Sequence, residues 1–177
     1  MNIWQTILDL IDMRSFSNLW YWIALAVTWS TASHWVLGVP YDMVLRARRK
    51  QGVAAQDLVT ITGVNVRRLL MIGREAGMVI VLVASFLLTT LIVWGFVYGM
   101  EFAQAVALIM VPLALVFGLS LRSAARLEPL LAAGADAETV ARILTHHRVA
   151  VQAVGLVAIT VTSLWGMLQN FQLSPLG

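Results

Sequence analysis

At 177 residues, 60% hydrophobic, 12% charged and with a mean hydropathy of +0.83, the chain is too apolar for a soluble domain, where about a quarter of residues carry charge. Its net charge of +3 and pI near 10.0 do not point to nucleic acid, because the cations flank apolar runs; anionic lipid headgroups suit them better. With no cysteine, disulfides and thiolate metal sites are excluded, and an iron–sulfur cluster ligated by this chain alone is not expected.

The expected fold is all-α: a polytopic membrane protein with four transmembrane helices, an N-terminal interfacial helix and a single membrane domain over residues 1–177, with little left for a soluble domain. In residues 1–17, Asn2, Gln5, Asp9 and Asp12 share one helix face, and Ile3, Trp4, Ile7, Leu8 and Ile11 take the other. That pattern predicts an amphipathic helix lying at the headgroups, with a helix packed against the other spans as the alternative. The start lacks the basic n-region and cleavage site of a signal peptide, so the first span is expected to stay as an uncleaved anchor. That span covers 18–39, from the aromatic cluster Trp20-Tyr21-Trp22 to Pro40, and such a length crosses a hydrocarbon core of about 30 Å.

Residues 41–75 carry Arg46, Arg48, Arg49, Lys50, Arg67, Arg68 and Arg74 and are read as a loop. Within it Leu58, Ile61, Leu69 and Ile72 fall at helical spacing, with Asn65 interrupting, which predicts an amphipathic helix running into the second span at 76–98. Gly99 and Met100 make a tight turn into the third span, 101–121, where Pro112 predicts a kink. A second loop, 122–148, is punctuated by Pro129 and Gly134. Asp136 is expected to cap the helix that leads into the fourth span, 149–168, with Glu138 in its first turn. Eleven of the twelve Lys and Arg lie in the two loops, which predicts cytoplasmic loops and periplasmic termini.

Few residues carry chemistry. His34, His146 and His147 fall near one predicted depth and are the candidates for a haem, a metal or a proton relay, but no ligand pairs repeat at fixed spacing. The competing expectation is that His34 is structural and bonded to Ser30, with no metal and no cofactor bound. Glu101, with Gln104 one turn on, is expected to mark a helix start, where the macrodipole favours a carboxylate. The knot Ser30, Thr31, Ser33 and His34, together with Gly95 and Gly99 of a small-xxx-small pair, forms the candidate partner contact. The tryptophans Trp4, Trp20, Trp22, Trp94 and Trp165 are expected in an outer interface belt. No nucleotide loop, hydrolase triad, metalloprotease helix or paired carboxylates occur, so no enzyme is expected.

The runs Met13-Arg14-Ser15-Phe16-Ser17-Asn18-Leu19-Trp20-Tyr21-Trp22, then Trp29-Ser30-Thr31-Ala32-Ser33-His34-Trp35-Val36-Leu37-Gly38-Val39-Pro40-Tyr41-Asp42, and Tyr98-Gly99-Met100-Glu101-Phe102-Ala103-Gln104-Ala105 are similar to a family of small bacterial inner-membrane proteins. Members of that family are sometimes labelled a component of an iron-sulfur cluster assembly complex. The resemblance covers nearly the whole chain; it implies a bacterial inner-membrane setting and carries over no catalytic residue. The leading expectation is a non-enzymatic accessory or assembly subunit of a larger respiratory or photosynthetic membrane complex. Two alternatives stand beside it: a small homo-oligomeric transporter or channel lined by His34 or Glu101, and a haem- or metal-binding redox protein.

Overall fold

The computed structural model describes residues 15–50 and 52–173, so the expected interfacial helix lies almost wholly outside the described residues. A 3-10 turn, Ser15–Ser17, leads into helix α1, Leu19–His34. A two-residue hairpin follows, β1 Trp35–Val36 against β2 Val39–Pro40, with Trp35 opposite Pro40 and Val36 opposite Val39. Then come α2, Tyr41–Arg49; α3, Val53–Ile92, which continues as a π-helical segment Val93–Val97; α4, Glu101–Ala132; and α5, Ala137–Leu173. Helices α3, α4 and α5 are each long and apolar enough to cross a membrane. The described residues are thus all-helical apart from one short hairpin and the turns between elements, with an architecture compatible with multi-pass insertion.

The first predicted span ends early. Its helix stops at His34, not at residue 39, because the chain reverses at Leu37 and Gly38, both with positive φ (52° and 75°), the geometry of a tight two-residue hairpin turn. A non-glycine residue there costs roughly 1–2 kcal/mol. Burial repays it: Val36, Leu37 and Val39 are all buried, and each such side chain contributes about 1.5–3 kcal/mol. Asn65, expected to interrupt the α3 stripe, instead donates from Nδ2 to the Gly38 carbonyl at 3.1 Å and fastens the turn.

The two charged segments read as loops are mostly helix, and among the described residues they hold the largest buried core. Val36 and Val39 of the hairpin, Val44 of α2, Leu58 and Val66 of α3, Leu127 of α4 and Val140 and Leu144 of α5 meet there, all fully or almost fully buried. On α3 Leu58, Thr62, Val66 and Leu70, four apart, are buried together with Gly63, whereas Ile72 is exposed. The cations stand outside this core, and two ion pairs tie helices at its rim: Arg74 to Glu128 at 2.7 Å and Arg48 to Glu138 at 3.5 Å. Exposed pairs of this kind contribute little, so burial carries the assembly.

Pro129, expected to break a loop, sits inside the last turns of α4, and the helix also runs through Pro112 without ending. The stop comes at Gly134, φ 76°, where the N–H groups of Ala135 and Gly134 donate to the carbonyls of Leu130 and Leu131. This is the crossed pair of bonds that closes a helix on a left-handed glycine. Two residues later the Asp136 carboxylate accepts the Thr139 N–H at 3.2 Å and starts α5, as its sequence position predicts. Helices α4 and α5 are therefore antiparallel neighbours.

Helix α1 lies along α5 with opposite direction. At one end Ser17 Oγ donates to Asn170 Oδ1 at 2.8 Å; at the other, Arg148 Nε donates to the Ser33 carbonyl at 3.1 Å. Between them two glycines of α5 admit aromatic rings from the N-terminal segment. A Cβ on Gly155 would come within 2.7 Å of the Trp29 ring, and one on Gly166 within 3.3 Å of Phe16.

Candidate functional site

The end of the bundle around the α3–α4 turn is organised by Gln104, which is buried. The π-helical turn shifts backbone bonding there, with Tyr98 N–H donating to the Val93 carbonyl and Met100 N–H to that of Trp94. The Gly95 carbonyl instead accepts Gln104 Nε2 at 2.8 Å, while Gln104 Oε1 accepts Trp165 Nε1 at 2.9 Å and Gln169 Nε2 at 3.0 Å. One side chain thus joins α3, α4 and α5. Around it, Tyr21 Oη donates to the Ala105 carbonyl at 3.2 Å, Phe16 N–H to Glu101 Oε1 at 2.8 Å, and Trp22 Nε1 to the Phe16 carbonyl at 3.1 Å.

Several expectations change here. Gly95 is consumed inside the chain, since a Cβ would stand 2.8 Å from the Gln104 backbone nitrogen, and Gly99 serves the turn with φ 73°. Gly95 therefore contacts the chain's own α4. Glu101 does begin α4, and its carboxylate also holds the 3-10 turn. Trp22 and Trp165 belong to the internal network, whereas Trp20 and Trp94 are exposed; Trp4 lies outside the described residues.

The polar knot of α1 faces outward. Tyr21, Leu25 and Trp29 are the buried face of that helix; Trp20, Ile23, Val27, Ser30, Thr31 and His34 form an exposed stripe at helical spacing. The local bond expected between His34 and Ser30 is made by Ser33 instead, whose Oγ donates to the Ser30 carbonyl at 3.0 Å. The His34 ring stands edge-on to Trp35, with centroids 5.8 Å apart.

The other two histidines have separate tasks. His146 is exposed and donates from Nδ1 to the Arg142 carbonyl at 2.8 Å, within its own helix. His147 is buried between α5 and α4, with Nδ1 3.0 Å from Ser123 Oγ and Nε2 3.3 Å from Ser120 Oγ. Because the Ser120 hydroxyl gives its proton to the Val116 carbonyl, Nε2 is the donor toward Ser120, and in the neutral ring Nδ1 accepts from Ser123. His147 thus ties α4 to α5. Among the described residues no three His, Asp or Glu converge as metal ligands.

Two hollows line the α4–α5 seam. Near the charged end is a cleft of about 530 Å³, bounded by Arg122, Ser123, Arg126, Arg142, His146 and His147 with Leu119, Ile143 and Ala150. Further along is a groove of about 720 Å³ with an almost wholly apolar lining, including Leu108, Val111, Leu115, Val154, Val157 and Val161, with Ile92 and Phe96 of the α3 end as a side wall. Sequence reasoning used these arginines to orient the chain and to favour anionic lipid headgroups over nucleic acid, without bringing them together at one site. The available signal was their helical pairing, Arg122 with Arg126 and Arg142 with His146, each four apart on antiparallel helices. No protein-family model matches the chain, and no curated protein and no solved structure is significantly similar to it.

Proposed function

We propose that the chain is a non-enzymatic accessory or assembly subunit of a larger membrane complex, respiratory or photosynthetic, with the exposed stripe of α1 as its partner face. In this reading α1 is a fourth transmembrane span, the setting is the bacterial inner membrane, and both termini are periplasmic. The observation that carries the proposal is the outward direction of Ser30, Thr31 and His34. Polar groups on a membrane helix are better placed against another protein than against lipid, because hydrocarbon supplies no hydrogen-bond partner.

The competing uses are weakened by what the same residues already do. Glu101 is bonded to the Phe16 N–H, His147 to two serines, and the large groove offers almost no polar lining to a solute. Ser and Thr can also bond their own helix, as Ser33 does, so the knot demands a partner only where several groups act together with close packing. Membrane interhelical hydrogen bonds average about 0.6 kcal/mol each, which is too little for one residue to decide association.

The test is the triple change Ser30→Ala, Thr31→Ala and Ser33→Ala, followed by extraction of native membranes in mild detergent. The expected result is a folded protein that no longer co-purifies with its complex. Lower thermal stability with unchanged co-purification would place the knot inside its own bundle and refute the partner face.

A further inference from the structure

We infer that the α4–α5 seam is a binding site for an anionic phospholipid, with the phosphate among the arginines and the acyl chains in the apolar groove. This rests on the chain lying in a bilayer and is independent of the α1 partner face. The cleft and the groove are two parts of one track. On α4, Leu108, Val111, Leu115, Leu119, Arg122 and Arg126 succeed one another at steps of three or four, and the span from 108 to 126 is five turns of an ideal helix, so they share one face. On α5 the matching row runs Ile143, His146, Ala150, Val154, Val157 and Val161. Both rows change from charged to apolar at the same level, since Leu119 and Ala150 close the cleft and the next turn of each helix opens the groove.

Charge and length identify the occupant. The cleft gathers three guanidinium groups, and no carboxylate lines it among the described residues. Glu128 and Glu138, the nearest acids in sequence on these helices apart from Asp136, are engaged by Arg74 and Arg48. Arg122, Arg126 and Arg142 are exposed, so their forked donors can reach a phosphate, which guanidinium binds in two-point fashion. His147, with both ring nitrogens bonded to serines, forms the floor of the cleft. From Ala153 to Val161 the groove runs roughly 12 Å at about 1.5 Å per residue. That fits within half of a hydrocarbon core of ~30 Å, the depth filled by the chains of one leaflet. A soluble phosphate would need the cleft and leave the groove idle; a neutral lipid would need the groove and leave the cations idle. An anionic phospholipid uses both, in the leaflet that faces the basic segments.

The experiment is native mass spectrometry of the full chain in non-ionic detergent, titrated with phosphatidylglycerol or with phosphatidylcholine of the same acyl chains. The expected result is preferential retention of phosphatidylglycerol, reduced by about tenfold or more in the triple change Arg122→Gln, Arg126→Gln and Arg142→Gln. Changing Arg46, Arg49 and Lys50 to Gln, the same loss of charge outside the seam, should leave retention within about twofold. Ala153→Trp, at an exposed groove position, keeps every cation and fills the chain track; it should also release the lipid, which separates the seam from a general charge effect should the arginine triple fail to fold. Equal retention of both lipids, equal loss from both triple changes, or retention unchanged in Ala153→Trp would overturn the assignment. Displacement by glycerol 1-phosphate at concentrations comparable to the lipid would also overturn it, by making the cleft a soluble-anion site. The Ser30, Thr31 and Ser33 alanine variant should retain the lipid whatever happens to its partner.

Discussion

At the scale of single residues, glycines that look alike in the sequence have unlike surroundings. Gly95 lets the end of α3 touch the backbone of α4 directly, and the same approach brings its carbonyl within reach of Gln104. Gly77 also sits in α3, yet nothing lies within 4 Å of a Cβ built on it. Alanine therefore acts with opposite sign at the two sites. At Gly77 it should be neutral or stabilise by up to about 1 kcal/mol, the usual helical difference between alanine and glycine. At Gly95 the added methyl must push the Gln104 backbone away, and the loss of the Gln104 bond adds to the strain, with a cost of roughly 1–3 kcal/mol. Thermal unfolding in one detergent compares the two directly, and a Gly95→Ala protein as stable as Gly77→Ala would contradict the close-contact account. In the sequence Gly77 lies four residues after Gly73 and Gly95 four before Gly99, the same spacing. Only the packing of α4 against the end of α3 tells them apart.

At the scale of elements, the start of α5 was legible because an N-cap is local chemistry: Asp136 precedes the helix and its carboxylate meets the Thr139 N–H. Thr139, through its side chain and its backbone N–H, holds the Asp136 carboxyl below its usual 3.8, so the folded state favours the ionised form. Its contribution is then present above the unfolded value and disappears as pH falls through the lower folded value, in the window beneath pH 3.8. Asp136→Ala should speed amide hydrogen exchange at Thr139 and Val140 at neutral pH. Asp136→Asn, which keeps an acceptor, should not, and equal exchange in parent and alanine variant would remove the cap from the account. The charged stretches were less legible. The stripe read on α3, Leu58, Ile61, Leu69 and Ile72 with Asn65 interrupting, is not the buried row, which runs from Leu58 through the polar Thr62 to Val66 and Leu70, and Pro129 signalled a break that the helix does not make. The hairpin at Trp35–Pro40 was hidden inside an apolar run, since short runs of Val and Leu read equally well as helix or strand. Of the candidate site residues, the outward-facing Ser30, Thr31 and His34 kept a possible outside role. Gly95, Gly99 and His147 were claimed by turns and contacts between distant segments, which spacing along the chain does not encode.

At the scale of the whole molecule, the number of crossings depends on α1. That helix has 16 residues, roughly 24 Å at 1.5 Å per residue, and by itself falls short of a hydrocarbon core of about 30 Å. The preceding 3-10 turn supplies roughly 6 Å more at about 2 Å per residue. Its neighbours fix the same length independently, because Ser17 reaches Asn170 while Arg148 reaches Ser33, so α1 and the 3-10 turn run beside residues 148–170 of α5. In the proposed four-span arrangement α1, which accompanies α5 from end to end, crosses beside it. The absence of cysteine makes this testable without background, since every introduced thiol is the only one in the chain. Ser17→Cys, Met100→Cys, Lys50→Cys and Ala133→Cys all fall at exposed positions. With a membrane-impermeant maleimide, the first two should react when the reagent is in the periplasm, and the last two only in inverted vesicles. Reaction of Ser17→Cys and Lys50→Cys from one side would reduce the crossings to three and leave α1 folded back along α5 without traversing the bilayer. Reaction of Lys50→Cys and Ala133→Cys from opposite sides would be the more serious outcome. The core shared by the hairpin, α2, α3, α4 and α5 requires those two segments to lie in one compartment.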